Sequence, residues 1–157
     1  MTTLWRISKH SDLGGIGGEK ADARWHTAAV GKRIVYLAEH PAVALIESLV
    51  NLSGIPEAFP RNFQLLKIEA DRGVEIEESS NGLPIDWQNN QSLTRRLGDE
   101  WLKERRTALL RIPSVPSPQS FNYVLNPLHP DAQKVRIIES TWLPYDERLF
   151  KIKGKRS

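Results

Sequence analysis

Apolar residues along this chain fall into short clusters with two different spacings. Leu4–Ser8, Ile34–Ala38, Phe63–Ala70, Val74–Ile76, Leu109–Ile112, Asn122–Leu125 and Val135–Thr141 are brief runs that each predict a strand. Asp71-Arg72-Gly73 is a turn signal between the third and fourth of them. Two segments follow the helical period instead. Ala42, Val43, Leu45, Ile46, Leu49, Val50 and Leu52 cover one broad apolar face, with Pro41 where a helix would begin. Leu93, Leu97 and Trp101 recur every four residues and mark a second helix, continuing to about Arg106. Between these elements lie a glycine-rich stretch (Gly14–Gly18), a connector (Ile55–Pro60), a polar segment (79–90) and a loop punctuated by Pro113, Pro116 and Pro118. Many short strands with two main helices, lacking strict strand–helix alternation, predict one α+β domain over residues 1–150. The basic tail Lys151–Ser157 is expected to fray.

Composition narrows the function more by exclusion than by assignment. With 157 residues the chain can bury roughly 70% of its unfolded surface and needs no staple. It has no cysteine, which rules out disulfides, a thiolate nucleophile and a zinc ribbon. Its four histidines form neither HExxH nor HxxxH, so no metal site is expected. The longest apolar run, Ala42–Ile46, is far too short to span a bilayer, and the first residues carry no signal-peptide core; a cytoplasmic protein is expected. Gly14-Gly15-Ile16-Gly17-Gly18 is neither a Walker loop nor a dinucleotide fingerprint, and reads as a flexible loop that could close over a ligand. The net charge of +3 suits an anionic ligand and equally an ordinary globular surface. Arg95, Arg96, Arg105 and Arg106 are the densest basic cluster, but Asp99, Glu100 and Glu104 intersperse them, which reads as a solvated helix face.

Several side chains stand out against the packing pattern. Glu47 sits in an otherwise almost wholly apolar helix, at the edge of its buried face. Tyr36 lies inside a predicted buried strand, Arg24 adjoins Trp25 beyond the glycine loop, and Ser114 and Asn126 lie in a proline-punctuated loop. Each has an ordinary reading: a solvated border carboxylate, a core tyrosine, a surface arginine stacked on an indole, turn formers. Together they are an anion-binding arginine, an aromatic platform and a lone carboxylate, a set able to hold a cationic base, a sugar and a diphosphate.

The ordered blocks Leu4-Trp5-Arg6-Ile7, Ala23-Arg24-Trp25-His26, Ile34–Ala38, the Glu47 helix, Gly98–Leu102, Arg111-Ile112-Pro113-Ser114 and Asn122–Asp131, continuing to Asp146–Leu149, resemble the RES family. The chain departs from many members at Ala23, where they have glycine, and at His26, where they have asparagine; the stretch from Arg24 to Tyr36 is also slightly longer. The resemblance implies a fold similar to ADP-ribosyltransferase toxins, with mixed sheets and flanking helices, and NAD as substrate rather than cofactor. It implies a toxin whose Xre-like antitoxin covers the active site, with nucleic acid reached only through that antitoxin. It further implies Glu47 as the central carboxylate, Tyr36 stacking on nicotinamide, and Arg24 with Arg6 on diphosphate or ribose. Ser114 would bond the nicotinamide ribose, and Asn126 would support the same loop. Two other readings stay open: ADP-ribosyl transfer to a host protein, and a nucleotide-binding module without chemistry. The sequence also leaves a homo-oligomer open.

Overall fold

A computed structural model describes residues 1–154. Its elements run β1 (Thr2–Ile7), β2 (Val35–Ala38), α1 (Pro41–Val50), β3 (Asn62–Ala70), β4 (Ile76–Glu78), α2 (Gln91–Glu104), β5 (Leu109–Pro113), β6 (Phe121–Leu125), β7 (Val135–Pro144) and α3 (Arg148–Gly154). Seven strands form one mixed sheet in the order β4-β5-β6-β2-β1-β3-β7, in which β4 and β5 run parallel and all other neighbours antiparallel. The architecture is a single α+β domain of one sheet and three helices.

The Asp71–Gly73 turn forms, closed by the Val74 N–H on the Asp71 carbonyl at 3.0 Å, but the strands flanking it do not pair. β3 sits between β1 and β7, while β4 begins at Ile76 and joins β5 at the opposite edge. In a flat sheet, five strand spacings would separate β3 from β4 by about 24 Å, and the six links from Ala70 to Ile76 reach about 21 Å at most. The sheet therefore curls. Its concave face gathers Leu4, Leu37, Leu66, Ile68, Leu109 and Leu125 from its strands, with Val74 from the β3–β4 link, into one core. A twisted sheet bends this way readily, and the strict alternation of buried positions along β3 supplies the apolar face it wraps.

The convex face packs against helices. His40 caps α1 through its Nδ1, which accepts the Ala42 N–H at 3.1 Å, and Pro41 occupies the first turn. α2 lies so close to the Ala23–His26 segment that a Cβ on Gly98 would fall 1.7 Å from the Trp25 carbonyl oxygen; only glycine fits there. Trp25, Trp101, Leu110, Ile112 and Val124 fill the space between α2 and the sheet. The chain end departs from the expected frayed tail: α3 extends to Gly154 because Phe150 is buried with Phe59 and Tyr145 against Leu45 and Leu49 of α1. Residues 155–157 of that tail lie outside the described residues. No helix among the described residues is long and apolar enough to cross a membrane.

Candidate active site

β1 and β2 pair at Trp5 with Ala38, whereas β2 and β6 pair at four successive positions. Where β1 and β2 part, the Arg6 Nη1 donates to the Tyr36 carbonyl at 2.8 Å, taking an acceptor that a continued ladder would have used. A cavity of about 890 Å³ opens on the convex face beside this gap, walled by β1, β2, α1, the Asp22–Trp25 segment and the proline loop after β5. That volume lies within the range of sites for drug-sized ligands and cofactors.

Glu47 lines this cavity. Its Oε1 accepts two hydrogen bonds, from Ser114 Oγ at 2.8 Å and from Asn122 Nδ2 at 2.7 Å. Its Oε2 has no protein partner among the described residues. The carboxylate is thus anchored through one oxygen, and the other is left without a bond to the described residues. Ser114 is itself fixed, because its Oγ also accepts the Ser117 N–H at 3.2 Å and its backbone N–H donates to Ser120. The Ser114 hydroxyl, expected to contact ribose, gives its one proton to Glu47 and orients it. Asn122, on β6, is not singled out as a site residue by sequence; the signal available is an amide side chain at the second position of an otherwise largely apolar strand.

Tyr36 also lines the cavity, and its hydroxyl ends a buried hydrogen-bond chain. His26 Nε2 lies 3.0 Å from the Gly18 carbonyl, which can only accept, so that nitrogen carries a proton. The Tyr36 hydroxyl donates to His26 Nδ1 at 2.8 Å and accepts the Trp25 N–H at 3.2 Å. His26 is 2% exposed and fully engaged, which assigns the residue that departs from the family pattern a tethering role between the glycine loop and Tyr36. Burial pushes the Tyr36 phenol well above its ordinary value despite the Trp25 N–H, so it is neutral throughout the physiological range.

Three arginines face the same space. Arg6 is held below the ordinary arginine value by burial, opposed by Asp12, and remains charged. Arg24 gives Nη1 to the Gln88 carbonyl at 2.9 Å and keeps its other donors. Arg95, on α2, donates Nε to the Ala23 carbonyl at 2.8 Å and lines the cavity. The sequence placed Arg95 on a solvated helix face; that description fits the Arg96–Glu100 pair, exposed on both sides, but not Arg95, which the close approach of α2 to Ala23 draws inward. Asn126 is set apart. It is buried behind the start of β5, with its Nδ2 toward the Leu102 carbonyl and its Oδ1 accepting Leu128 N–H, and it borders a different hollow.

Among the described residues, three buried side-chain polar atoms lack a hydrogen-bond partner: Arg6 Nε, Trp25 Nε1 and Asn122 Oδ1. All three belong to residues that line this cavity. A buried unsatisfied polar group costs about 1–3 kcal/mol, so their concentration here marks a region shaped by demands other than stability. No group of three or more potential metal ligands occurs among the described residues.

A single curled α+β domain with an anchored carboxylate and several arginines in one ligand-sized cavity defines a small protein built around a polar pocket. The chain belongs to the RES-domain family, whose model matches residues 3–146. It is 41% identical to Toxin Res of Pseudomonas putida (strain KT2440), over 94% of this chain and 99% of that one. It is 34% identical to a Prs ADP-ribosylating toxin of Sphingobium sp. (strain YBL2), over 96% and 98% respectively. Its fold is similar to one in the crystal structure of the M. tuberculosis MbcT–MbcA toxin–antitoxin complex, with a TM-score of 0.68 and 17% identity, covering 98% of this chain and 89% of the other.

Proposed function

We propose that this chain is the toxin of a toxin–antitoxin pair and acts in the cytoplasm by cleaving NAD between nicotinamide and ribose, lowering cellular NAD and arresting growth. The observation that carries the reading is Glu47: one carboxylate oxygen anchored by Ser114 and Asn122, the other unpartnered, in a cavity that also holds Arg6, Arg24 and Arg95. Cleavage of this bond builds positive charge at ribose C1′, as in glycoside hydrolysis. Nicotinamide leaves as a neutral molecule, so no general acid is required. The demands on the protein are a fixed negative charge near C1′ and a fixed ribose and diphosphate. Glu47 supplies the charge and a hydrogen-bond acceptor for ribose hydroxyls. The guanidinium forks of Arg24 and Arg6 suit diphosphate oxygens, with Arg95 adding positive potential. Tyr36, neutral and held by His26, offers a ring face for the nicotinamide.

A second reading, transfer of ADP-ribose to a protein, is favoured by the 34% identical relative named for ADP-ribosylation. The same carboxylate and arginines would serve it, with a protein nucleophile replacing water or phosphate. Incubating purified protein with NAD separates these readings. Nicotinamide together with free ADP-ribose, or a phosphorylated form of it, supports degradation. Nicotinamide with label on protein supports transfer. No nicotinamide in either the presence or absence of a cell extract contradicts both and leaves a binding module.

The fold likeness to a toxin crystallised with its antitoxin supports a matching partner here. We infer that an Xre-like antitoxin holds this site off by seating a segment over the cavity, offering a carboxylate to Arg24 and Arg6 or a cation to Glu47. A complex in which the antitoxin leaves the cavity open to NAD would contradict this.

A further inference from the structure

A second hollow, of about 740 Å³, lies between α2 and the loop that precedes β2. Six of its lining side chains are cationic (Lys32, Arg33, Arg95, Arg96, Lys103 and Arg105) and two, Asp99 and Glu100, are anionic. This one hollow thus carries more net positive charge than the +3 of the whole chain. Its charges are unevenly committed. Lys32 pairs with Asp99 at 2.9 Å, Arg33 with Glu19 at 3.0 Å and Arg96 with Glu100 at 3.5 Å. Lys103 and Arg105 are exposed, and their side chains have no partner among the described residues.

The carbonyl end of α2 attracts cations, which accounts for a lysine or arginine there but not for Lys32 and Arg33 on the facing loop. Arg105 is notable for its backbone. It ends α2 at φ 50°, in the left-handed region where glycine is the usual occupant. Glycine would fit that conformation better and would remove the charge, so the chain keeps a cation at a strained position facing the hollow. Aliphatic side chains lie open in the same lining: Val30 is 97% exposed and Leu128 49%. No aromatic ring among the described residues lines it. Single-stranded nucleic acids are held by cations together with aromatic platforms for the bases, and the second component is missing. Cations beside bare aliphatic side chains fit a polypeptide with carboxylates and an aliphatic anchor.

We propose that this hollow is the docking groove for an acidic, leucine- or valine-bearing segment of a partner protein. Arg95 lines both hollows, so a segment seated here lies directly alongside the Glu47 cavity. The groove shares Arg95 with that cavity but not Glu47, and on the transfer reading a protein acceptor docked here would be beside the site where ADP-ribose is released.

The test uses the full chain and a fluorescein-labelled dodecapeptide of glutamate and aspartate with one central leucine. Binding is followed by anisotropy at low and high salt, and by the methyl resonances of Val30 and Leu128. The comparison protein carries Lys103→Ala with Arg105→Gly, neither of which touches the Glu47 cavity and the second of which suits the left-handed backbone. The peptide is expected to bind at low salt, to shift both methyls, and to bind about five- to tenfold more weakly to the double variant. Absence of binding, binding unchanged in the double variant, or tighter binding of a dodecameric single-stranded DNA at the same methyls overturns the proposal. Nicotinamide release is measured in parallel and is expected to be equal in the two proteins. Its absence from both would overturn the cleavage reading alone and leave the peptide result intact.

Discussion

The two faces of the curled sheet follow opposite rules. On the concave face, Leu4, Leu66, Ile68 and Leu109 are completely buried; the polar side chains beside them are Tyr123 and Gln64, and Gln64 is satisfied by Ser11. On the convex face, Tyr36 and Asn122 interrupt the apolar pattern of neighbouring strands. An anchored carboxylate sits above them, and residues of this face or its gap hold every orphaned buried polar atom among the described residues. The difference separates two kinds of selection within one sheet. The concave face satisfies the physics of folding with little compromise; the convex face accepts unsatisfied groups, a part-buried arginine and a broken β1–β2 ladder in order to hold a polar cavity.

That contrast can be broken from either side. Leu66→Ala, on the concave face, is expected to destabilise the fold by about 2–5 kcal/mol while leaving nicotinamide release per folded molecule unchanged; denaturant titration alongside the assay checks both parts. Asn122→Ala, on the convex face, removes one of two donors that fix Glu47 and also removes an orphaned Oδ1. It should slow release on the order of tenfold with a stability change below about 1 kcal/mol. His26→Asn, which restores the residue common in the family, retains a donor and an acceptor and should keep turnover within about threefold. His26→Ala strips the Tyr36 hydroxyl of its acceptor and should raise KM more than it lowers kcat. Equal rates for the alanine and asparagine proteins would show that the tether to Tyr36 is idle.

The smallest effect concerns acid. Burial alone would raise the Asp99 carboxyl, but the Thr27 N–H and the Lys32 ammonium together hold it below its usual value. A carboxyl depressed in the folded state adds stability that is fully present above the ordinary carboxylate range near pH 4 and is lost as pH falls through the folded value. Melting curves of the parent protein and Asp99→Asn should therefore differ most at neutral pH and converge toward pH 2. A constant gap across that range would contradict the assignment.

The legible part of the sequence was the part governed by local pattern. Six of the seven strands and both longer helices lie where period and turn residues put them, within a few residues at their ends; the exception is the strand expected over Val74–Ile76, which meets β4 only at Ile76. Glu47 betrayed itself because a lone carboxylate is conspicuous in an apolar helix. The illegible part is what tertiary contacts decide. β4 pairs across the molecule because the sheet curls, which no window of sequence contains. α3 forms because Phe150 finds Phe59, far away in the chain, as well as nearby Tyr145. Asn122 and Arg95 enter the site for the same reason: β6 brings one beneath Glu47, and the bare backbone of Gly98 lets α2 approach closely enough to turn the other inward. Asn126, in contrast, looked suitable by its loop, and its side chain bonds the backbone of Leu128 in that loop and of Leu102 in α2.

The central claim is that the convex-face cavity exists for the charge of Glu47, and Glu47→Gln tests it most directly. Glutamine keeps the shape and can still accept from Ser114 and Asn122, while the negative charge is gone. Measured as nicotinamide released from NAD by purified, folded protein, the variant is expected to retain NAD binding and its melting temperature and to lose about 10²–10³ in rate. The exposed control Glu57→Gln should match the parent. Near-parent turnover in a folded Glu47→Gln protein would contradict the account, because the anchored carboxylate would then be a structural residue and the cavity would owe its chemistry to something else.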